Sequence, residues 1–266
     1  MSDVSRRIRL VAIDLDGTLI GPGNRVDERD AAAIRAAVDA GVIVVPASAR
    51  WYQATLLAFE RVGARVRASI ASGGADVRGL EGEVVLQEAL PDDFVEFLSR
   101  LCDEADWRAT VAYPDCAVRR GPAPTLARTP PWIRFVPAFG KERPAGPALA
   151  ALVEVPSDHP AAQTLERWDS VSVLRARATD GAVLLTCTAA GADKGSALRA
   201  LQRHLGLAPM ETAAIGDSEV DLPMFAAAGI SAAVSTADAR VRSAATFSVG
   251  PGGGGGVAEA LERFLA

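Results

Sequence analysis

Short apolar runs alternating with helical patterns recur along this chain, and that rhythm constrains its fold more than any other feature. Residues 8–13 and 42–47 read as buried strands, followed by helices at 27–40 and 51–62, the first opening on acidic residues and closing at Gly41. Residues 66–72 make a third strand, ended by Gly73-Gly74. The rhythm returns late, with helices at 193–205, 219–228 and 257–265 and strands at 212–216 and 230–234. Strands alternating with helices imply an α/β fold: a doubly wound, mainly parallel sheet covered on both faces.

The middle of the chain breaks the pattern. Eight of the sixteen prolines lie between Pro114 and Pro147, a density that excludes long helices and central strands there. Around them lie helical patterns at 91–105 and 160–167 and strands near 108–113, 151–155, 170–176 and 182–187. A loop of that length inside one domain would be unusual. Residues 88–188 therefore read as an inserted α/β domain, and 1–87 with 189–266 as the core that carries it.

Composition removes several classes of function. A net charge of −5 and a pI near 5.2 argue against a general nucleic-acid binder, which needs a basic surface. Cys102, Cys116 and Cys187 have no metal-ligand spacing, and an odd count suits reduced thiols in the cytosol. The N-terminus carries Asp3, Arg6, Arg7 and Arg9 without an apolar core, so no signal peptide is read, and no apolar run reaches membrane-spanning length. The expectation is a cytoplasmic protein with neither a nucleic-acid nor a membrane partner. Oligomeric state is not legible.

Four places at strand ends or helix starts could carry chemistry, where open α/β sheets bind ligands. The first is Leu10-Val11-Ala12-Ile13-Asp14-Leu15-Asp16-Gly17-Thr18. Residues two apart in a strand share a face, so Asp14 and Asp16 can meet one site. Such a pair repels unless a cation or a proton intervenes. It suits Mg²⁺ and carboxylate attack on phosphorus, or equally a plain Asp-Gly turn. Ser48, after the second strand, reads as an anion donor or as the N-cap of the 51–62 helix. Lys194 sits in a first helical turn, where the dipole disfavours a cation unless it meets an anion. Gly216-Asp217 with Asp221 one turn on reads as a second carboxylate pair or as helix-start chemistry.

Taken together, these four elements resemble the ordered motifs of the haloacid dehalogenase superfamily of phosphohydrolases. DLDGT is similar to its motif I, Ser48 to motif II, Lys194 to motif III and GDSEVD to motif IV. The insertion resembles the C2 cap of the Cof-like branch, subfamily IIB. GADKGSAL, GDSEVDLPMF and GGVAEAL are similar to segments of that branch. The resemblance implies a Rossmann-like core and a Mg²⁺-dependent phosphatase. In it, Asp14 is the nucleophile and Asp16 the acid and base. Asp14, Asp217 and the Asp16 carbonyl hold Mg²⁺, while Ser48 and Lys194 hold phosphate. Asp221 orients Lys194 or a water of the metal shell, and Thr18 joins the phosphate-binding residues and braces the motif I loop. Asp16 is the residue that sets phosphatases and phosphomutases apart from the dehalogenases.

Charge points the same way. The four aspartates and Lys194 leave −3, which a phosphate dianion would avoid; Mg²⁺ and one proton bring the group to zero. Val220, Gly73 and Ala49 depart from the branch pattern, which has Asn, Asn and Gly there, and Thr236 or Ala237 falls near a further customary Asn. Gly250–Gly255 formally satisfies GxGxxG but lacks the downstream strand and acid of a dinucleotide site, so it reads as a flexible loop, a candidate border of the active-site mouth. His159 and His204 have no ligand-spaced partner, and Trp132 and Arg134 are candidate substrate contacts on the insertion. The expected substrate is a small phosphorylated metabolite, a sugar phosphate or phosphorylated glycoside. A sugar phosphomutase and a non-catalytic phosphometabolite binder are the alternatives.

Overall fold

The computed structural model describes residues 8–122, 130–141, 144–156, 159, 161–177 and 182–266. The chain divides into two compact units, Met1–Leu86 with Asp193–Ala266, and Gln87–Ala192. The second junction falls at Ala192 rather than 188, because the strand before it runs on to Ala189 and Asp193 already caps the next helix.

The first unit begins with β1 (Leu10–Asp14), the short hairpin β2 (Ile20–Gly21) and β3 (Arg25–Val26), and α1 (Glu28–Asp39). It continues with β4 (Ile43–Ala47), α2 (Tyr52–Phe59), β5 (Ser69–Ala71), β6 (Asp76–Arg78) and β7 (Val84–Gln87). The second unit holds α3 (Asp92–Glu104), β8 (Arg108–Ala112), β9 (Ala117–Arg120), β10 (Ile133–Val136), β11 (Ala150–Val155), α4 (Ala161–Leu165), β12 (Val171–Arg177) and β13 (Val183–Ala189). The chain then returns through α5 (Lys194–Leu205), β14 (Thr212–Gly216), α6 (Leu222–Ala227), β15 (Ile230–Val234), α7 (Ala239–Ala244), β16 (Phe247–Val249) and α8 (Gly256–Leu265).

The first unit's sheet runs β16-β15-β14-β1-β4-β5-β6-β7. It is parallel from β16 to β5, and β6 then turns back antiparallel to β5. Every residue of β1 and β14 is buried, as expected of strands covered on both faces. β1 lies between β14 and β4, with Ile13 level with Ile215 and Asp14 level with Ala47. The carboxyl ends of these three strands, and with them Asp14, Ser48 and Asp217, therefore come out together.

The second unit's sheet runs β10-β9-β8-β11-β13-β12, antiparallel except between β10 and β9. Along β11 burial alternates, with Ala151, Val153 and Val155 turned into a core built with Phe94, Leu98, Trp107, Leu165 and Leu185. The proline-rich stretch does contain an interior strand, contrary to expectation. β9 is free of proline and lies between Pro114 and Pro122, so its ladder to β8 and β10 is complete. Pro130, Pro131 and Pro137 flank β10 at the sheet's edge.

Candidate active site

The structure brings buried Asp14, Lys194 and Asp221 and half-buried Asp217 into one group at the end of β1. Lys194 is the first residue of α5, and its Nζ donates to Asp14 Oδ1 at 2.6 Å and to Asp221 Oδ1 at 2.7 Å. The anion that a cation at this helix start requires is thus supplied by two carboxylates, Asp14 at the end of β1 and Asp221 beyond the end of β14. Asp193 caps the helix, accepting from the backbone N–H groups of Gly195 and Ser196.

Asp221 is saturated. Its Oδ1 takes the lysine, and its Oδ2 accepts from the N–H groups of Asp217 and Ser218 and from the Ser218 hydroxyl. It sits in a 3₁₀ turn, Glu219–Asp221, that precedes α6, so the helix expected from 219 starts at Leu222. That turn points its carboxylate back at the end of β14. Asp14 is the opposite case: its Oδ2 is buried with no hydrogen-bond partner among the described residues. Burial, together with Asp221 and Asp217, pushes Asp14 up from 3.8 to about 8 despite Lys194. Burial and Asp221 also raise Asp217. Lys194 is held charged by Asp14 and Asp221, which outweigh the burial that opposes its charge.

One carboxylate oxygen from each of Asp14, Asp217 and Asp221 lies within 4.8 Å of the others. Hard oxygen donors, an orphaned buried oxygen and mutually raised carboxyls are what a divalent cation would relieve, so the residues present fit Mg²⁺. Gly17 makes the cluster possible. Its φ is +93°, and a Cβ there would come 2.1 Å from Asp217 Oδ2.

Three further residues singled out by the sequence have partners of their own. Thr18 is fully buried and its hydroxyl donates to Asp217 Oδ1 at 3.4 Å, which braces Asp217. Ser48, also buried, does not cap α2, whose N-cap is Trp51; its hydroxyl accepts the Arg50 N–H at 3.2 Å, closing a turn. Three residues between Ser48 and the helix's first residue, Tyr52, put a direct cap out of reach. Asp16 is exposed, with its carboxylate gripped by Arg50 through Nε at 2.9 Å and Nη2 at 2.6 Å. Arg50 is the group that sequence reasoning missed, and the charge count above left it out. Its signal was a cation two residues after Ser48 at a strand end, visible only once β1 and β4 are known to be neighbours.

Other candidates lie on other elements. His204 pairs with Glu83 at 2.8 Å, and His159 packs edge-on to Trp107 with ring centroids 4.7 Å apart. Trp132 precedes β10 and Arg134 lies within it, both in the second unit. Val220 supplies no donor where the resemblance has Asn.

One family model, that of the haloacid dehalogenase-like hydrolases, matches residues 11–117 and 162–261 of the chain. The chain belongs to that family. It is 29% identical to a phosphoglycolate phosphatase of Methanoculleus marisnigri, covering 97% of each chain. It is 24% identical to a 5-amino-6-(5-phospho-D-ribitylamino)uracil phosphatase of Bacillus subtilis, over 97% of this chain and 96% of that one. Among solved structures it superposes on a HAD subclass IIB sugar phosphatase, BT4131, with a TM-score of 0.76 at 19% identity, over 96% of this chain and 98% of that one. The family agrees with the sequence resemblance, and the chain is a phosphoric monoester hydrolase. No helix of the described residues is long and apolar enough to cross a membrane.

Proposed function

We propose that this haloacid dehalogenase-like hydrolase is a Mg²⁺-dependent phosphatase of small phosphorylated metabolites, working through an aspartyl-phosphate on Asp14. The observation that carries the reading is the orphaned Oδ2 of Asp14, buried beside a lysine that already holds its other oxygen. Lys194 fixes the carboxylate's plane and so aims it for attack. The Asp14 oxygen bonds to phosphorus as the bond to the leaving oxygen breaks, and Asp16 gives that oxygen a proton. Water then attacks phosphorus, Asp16 takes its proton, and the bond to Asp14 breaks to release phosphate.

Asp14, Asp217 and the Asp16 backbone carbonyl would hold the cation. Bound there, Mg²⁺ supplies the positive charge that lets a carboxylate approach a phosphate dianion. Lys194 adds to that charge, with Asp221 orienting it, and Ser48 and the Arg50 guanidinium stand ready to bind phosphate oxygens. Arg50 must exchange Asp16 for phosphate as substrate enters, which frees Asp16 for proton transfer. The Gln87–Ala192 unit serves as the cap that selects substrate, with Trp132 and Arg134 as candidate contacts. Sugar phosphates and phosphorylated glycosides are the expected substrates. The relatives' substrates, phosphoglycolate and a phosphoribitylamino-uracil, support a small polar phosphate ester.

The test is release of inorganic phosphate from a panel of phosphorylated sugars, polyol phosphates and short phosphoacids, with Mg²⁺ and with EDTA. Turnover that needs Mg²⁺ and vanishes in Asp14→Asn is expected. An isomerised sugar phosphate without free phosphate would replace hydrolysis by intramolecular transfer. Tight metabolite binding without any turnover would sink the enzymatic mechanism.

A further inference from the structure

The glycine run at 250–256 is more than a flexible loop between β16 and α8. Gly252 lies directly against the β1–β2 loop that carries Asp16, Gly17 and Thr18: a Cβ on it would fall 1.8 Å from the Gly17 carbonyl oxygen. Its neighbour Gly253 has a φ of +61°, and a Cβ there would fall 2.3 Å from the Gly21 Cα. The Gly253 N–H donates to the Thr18 carbonyl at 2.8 Å. The β1–β2 loop thus rests on bare backbone from Gly17 to Gly21.

The far side of the run is tied down. Asp30, fully buried near the start of α1, accepts from the N–H groups of Gly255 at 3.1 Å and Ala258 at 2.8 Å, capping α8 from another helix. Arg29 donates to the Gly254 carbonyl at 2.8 Å, and Glu259 accepts the Gly250 N–H at 2.8 Å. The Gly252 N–H itself reaches the Thr236 hydroxyl at 3.4 Å. A run anchored at so many backbone groups cannot drift away from the loop it supports.

We propose that Gly252 and Gly253 are positioning residues: a strap without side chains that sets where the Asp16 carbonyl and the Gly17–Thr18 peptide stand, and so tunes the divalent-cation site. The inference rests on the reading of Asp14, Asp16 and Asp217 as that site. A methyl group on Gly252 must open about 1.2 Å between that residue and the Gly17 carbonyl, the difference between 1.8 Å and the 3.0 Å that real Cβ contacts respect, and the anchors on the far side of the run pass that strain to the loop. Misplacing a reacting or ligating group by about 1 Å costs on the order of 10²-fold in rate.

The experiment compares Gly252→Ala with two controls, measuring Mn²⁺ affinity by electron paramagnetic resonance, kcat and KM for the best substrate, and Tm. Gly254→Ala adds a methyl group in the same run against Pro251 alone. Gly41→Ala forces a φ of +84° where nothing lies within 4 Å, so it strains the fold without touching the loop. Gly252→Ala is expected to lower kcat about 10²-fold and weaken Mn²⁺ about tenfold, with KM within threefold. Gly254→Ala keeps all three near wild type, and Gly41→Ala lowers Tm alone. If Gly252→Ala does not fold, Thr236→Val removes the strap's exposed anchor, with a loss of about threefold expected in Mn²⁺ affinity. Wild-type Mn²⁺ affinity and kcat in the folded Gly252→Ala protein, or wild-type Mn²⁺ affinity in Thr236→Val where that variant stands in, overturns the proposal. A wild-type protein that binds Mn²⁺ without turning over any substrate sinks the phosphatase mechanism, while the affinity series still decides on the strap. A wild-type protein that binds no Mn²⁺ overturns both.

Discussion

Each unit of the molecule buries one cation between two carboxylates, and the two arrangements differ in what they leave unsatisfied. In the second unit, Arg120 donates to Asp103 at 2.9 Å, to Asp106 at 2.8 Å and to the Trp107 carbonyl at 3.0 Å. Asp103 in turn accepts the N–H groups of Phe139 and Gly140. This network ties α3, β9 and the segment after β10 together, and the described residues satisfy both oxygens of Asp103. In the first unit, Lys194 bridges Asp14 and Asp221 with comparable distances, but Asp14 Oδ2 has no partner among the described residues. A satisfied buried network holds a fold; one that keeps an orphan oxygen beside like charges carries a standing cost that chemistry can use.

Removing the two cations tests this contrast, and the largest effect belongs to the first unit. Lys194→Met is expected to lower kcat by about 10³-fold, the scale of losing a fixed group that stabilises transition-state charge. Arg120→Met is expected to leave kcat per folded molecule within twofold. Its cost is stability, on the order of 2 kcal/mol, below the 3–5 kcal/mol of breaking a fully buried pair, because Asp106 is solvent-exposed. Phosphate release normalised to folded protein, with urea unfolding alongside, measures both. A large loss of kcat in Arg120→Met would erase the distinction between structural and chemical cations.

The core was legible in the sequence where apolar runs are buried on both faces. The strands at 212–216 and 230–234 sit where the pattern placed them, and α5 starts within one residue of expectation. Short elements at the sheet's edges were not, because three residues such as Asp76–Arg78 or Phe247–Val249 set up no period. In the second unit β9 and β10 were hidden by the prolines around them. The four aspartates and Lys194 were legible because chain order and local spacing mark them. Arg50 and Gly252 were not: their partners lie 34 residues away at Asp16 and far upstream at Gly17, and no local pattern records such a pairing.

Titration sharpens the comparison further, at a smaller scale. The ordinary carboxyl value is 3.8, and folding raises Asp14 to about 8. A raised carboxyl binds its proton more tightly in the folded chain, so that stabilisation is complete below about pH 4 and is lost as pH climbs through 8. Metal-free protein should therefore lose Tm between pH 5 and 8, and Asp14→Asn should flatten the slope. Saturating Mg²⁺ should oppose it, since the cation takes the ionised carboxylate and releases the proton. A metal-free Tm that rises over this window would mean that Lys194 already keeps Asp14 ionised and that the orphan oxygen is no burden.

The smallest effect expected is an absence of reaction in the second unit's core. Cys102 and Cys187 are both fully buried, and burial pushes each thiol up to about 12. Thiolate is the reactive form, so at pH 8 neither should react with iodoacetamide while that core stays closed. Raising urea should expose Cys102 and Cys187 together, because α3 and β13 share one core. Mg²⁺ should leave the urea midpoint of their labelling unchanged if the two units open independently, even where binding at the proposed site protects the first unit. Protection of Cys102 and Cys187 by Mg²⁺ in step with the first unit would instead mean that the cores unfold as one, and that the cost of an unsatisfied Asp14 is shared with the satisfied network around Arg120.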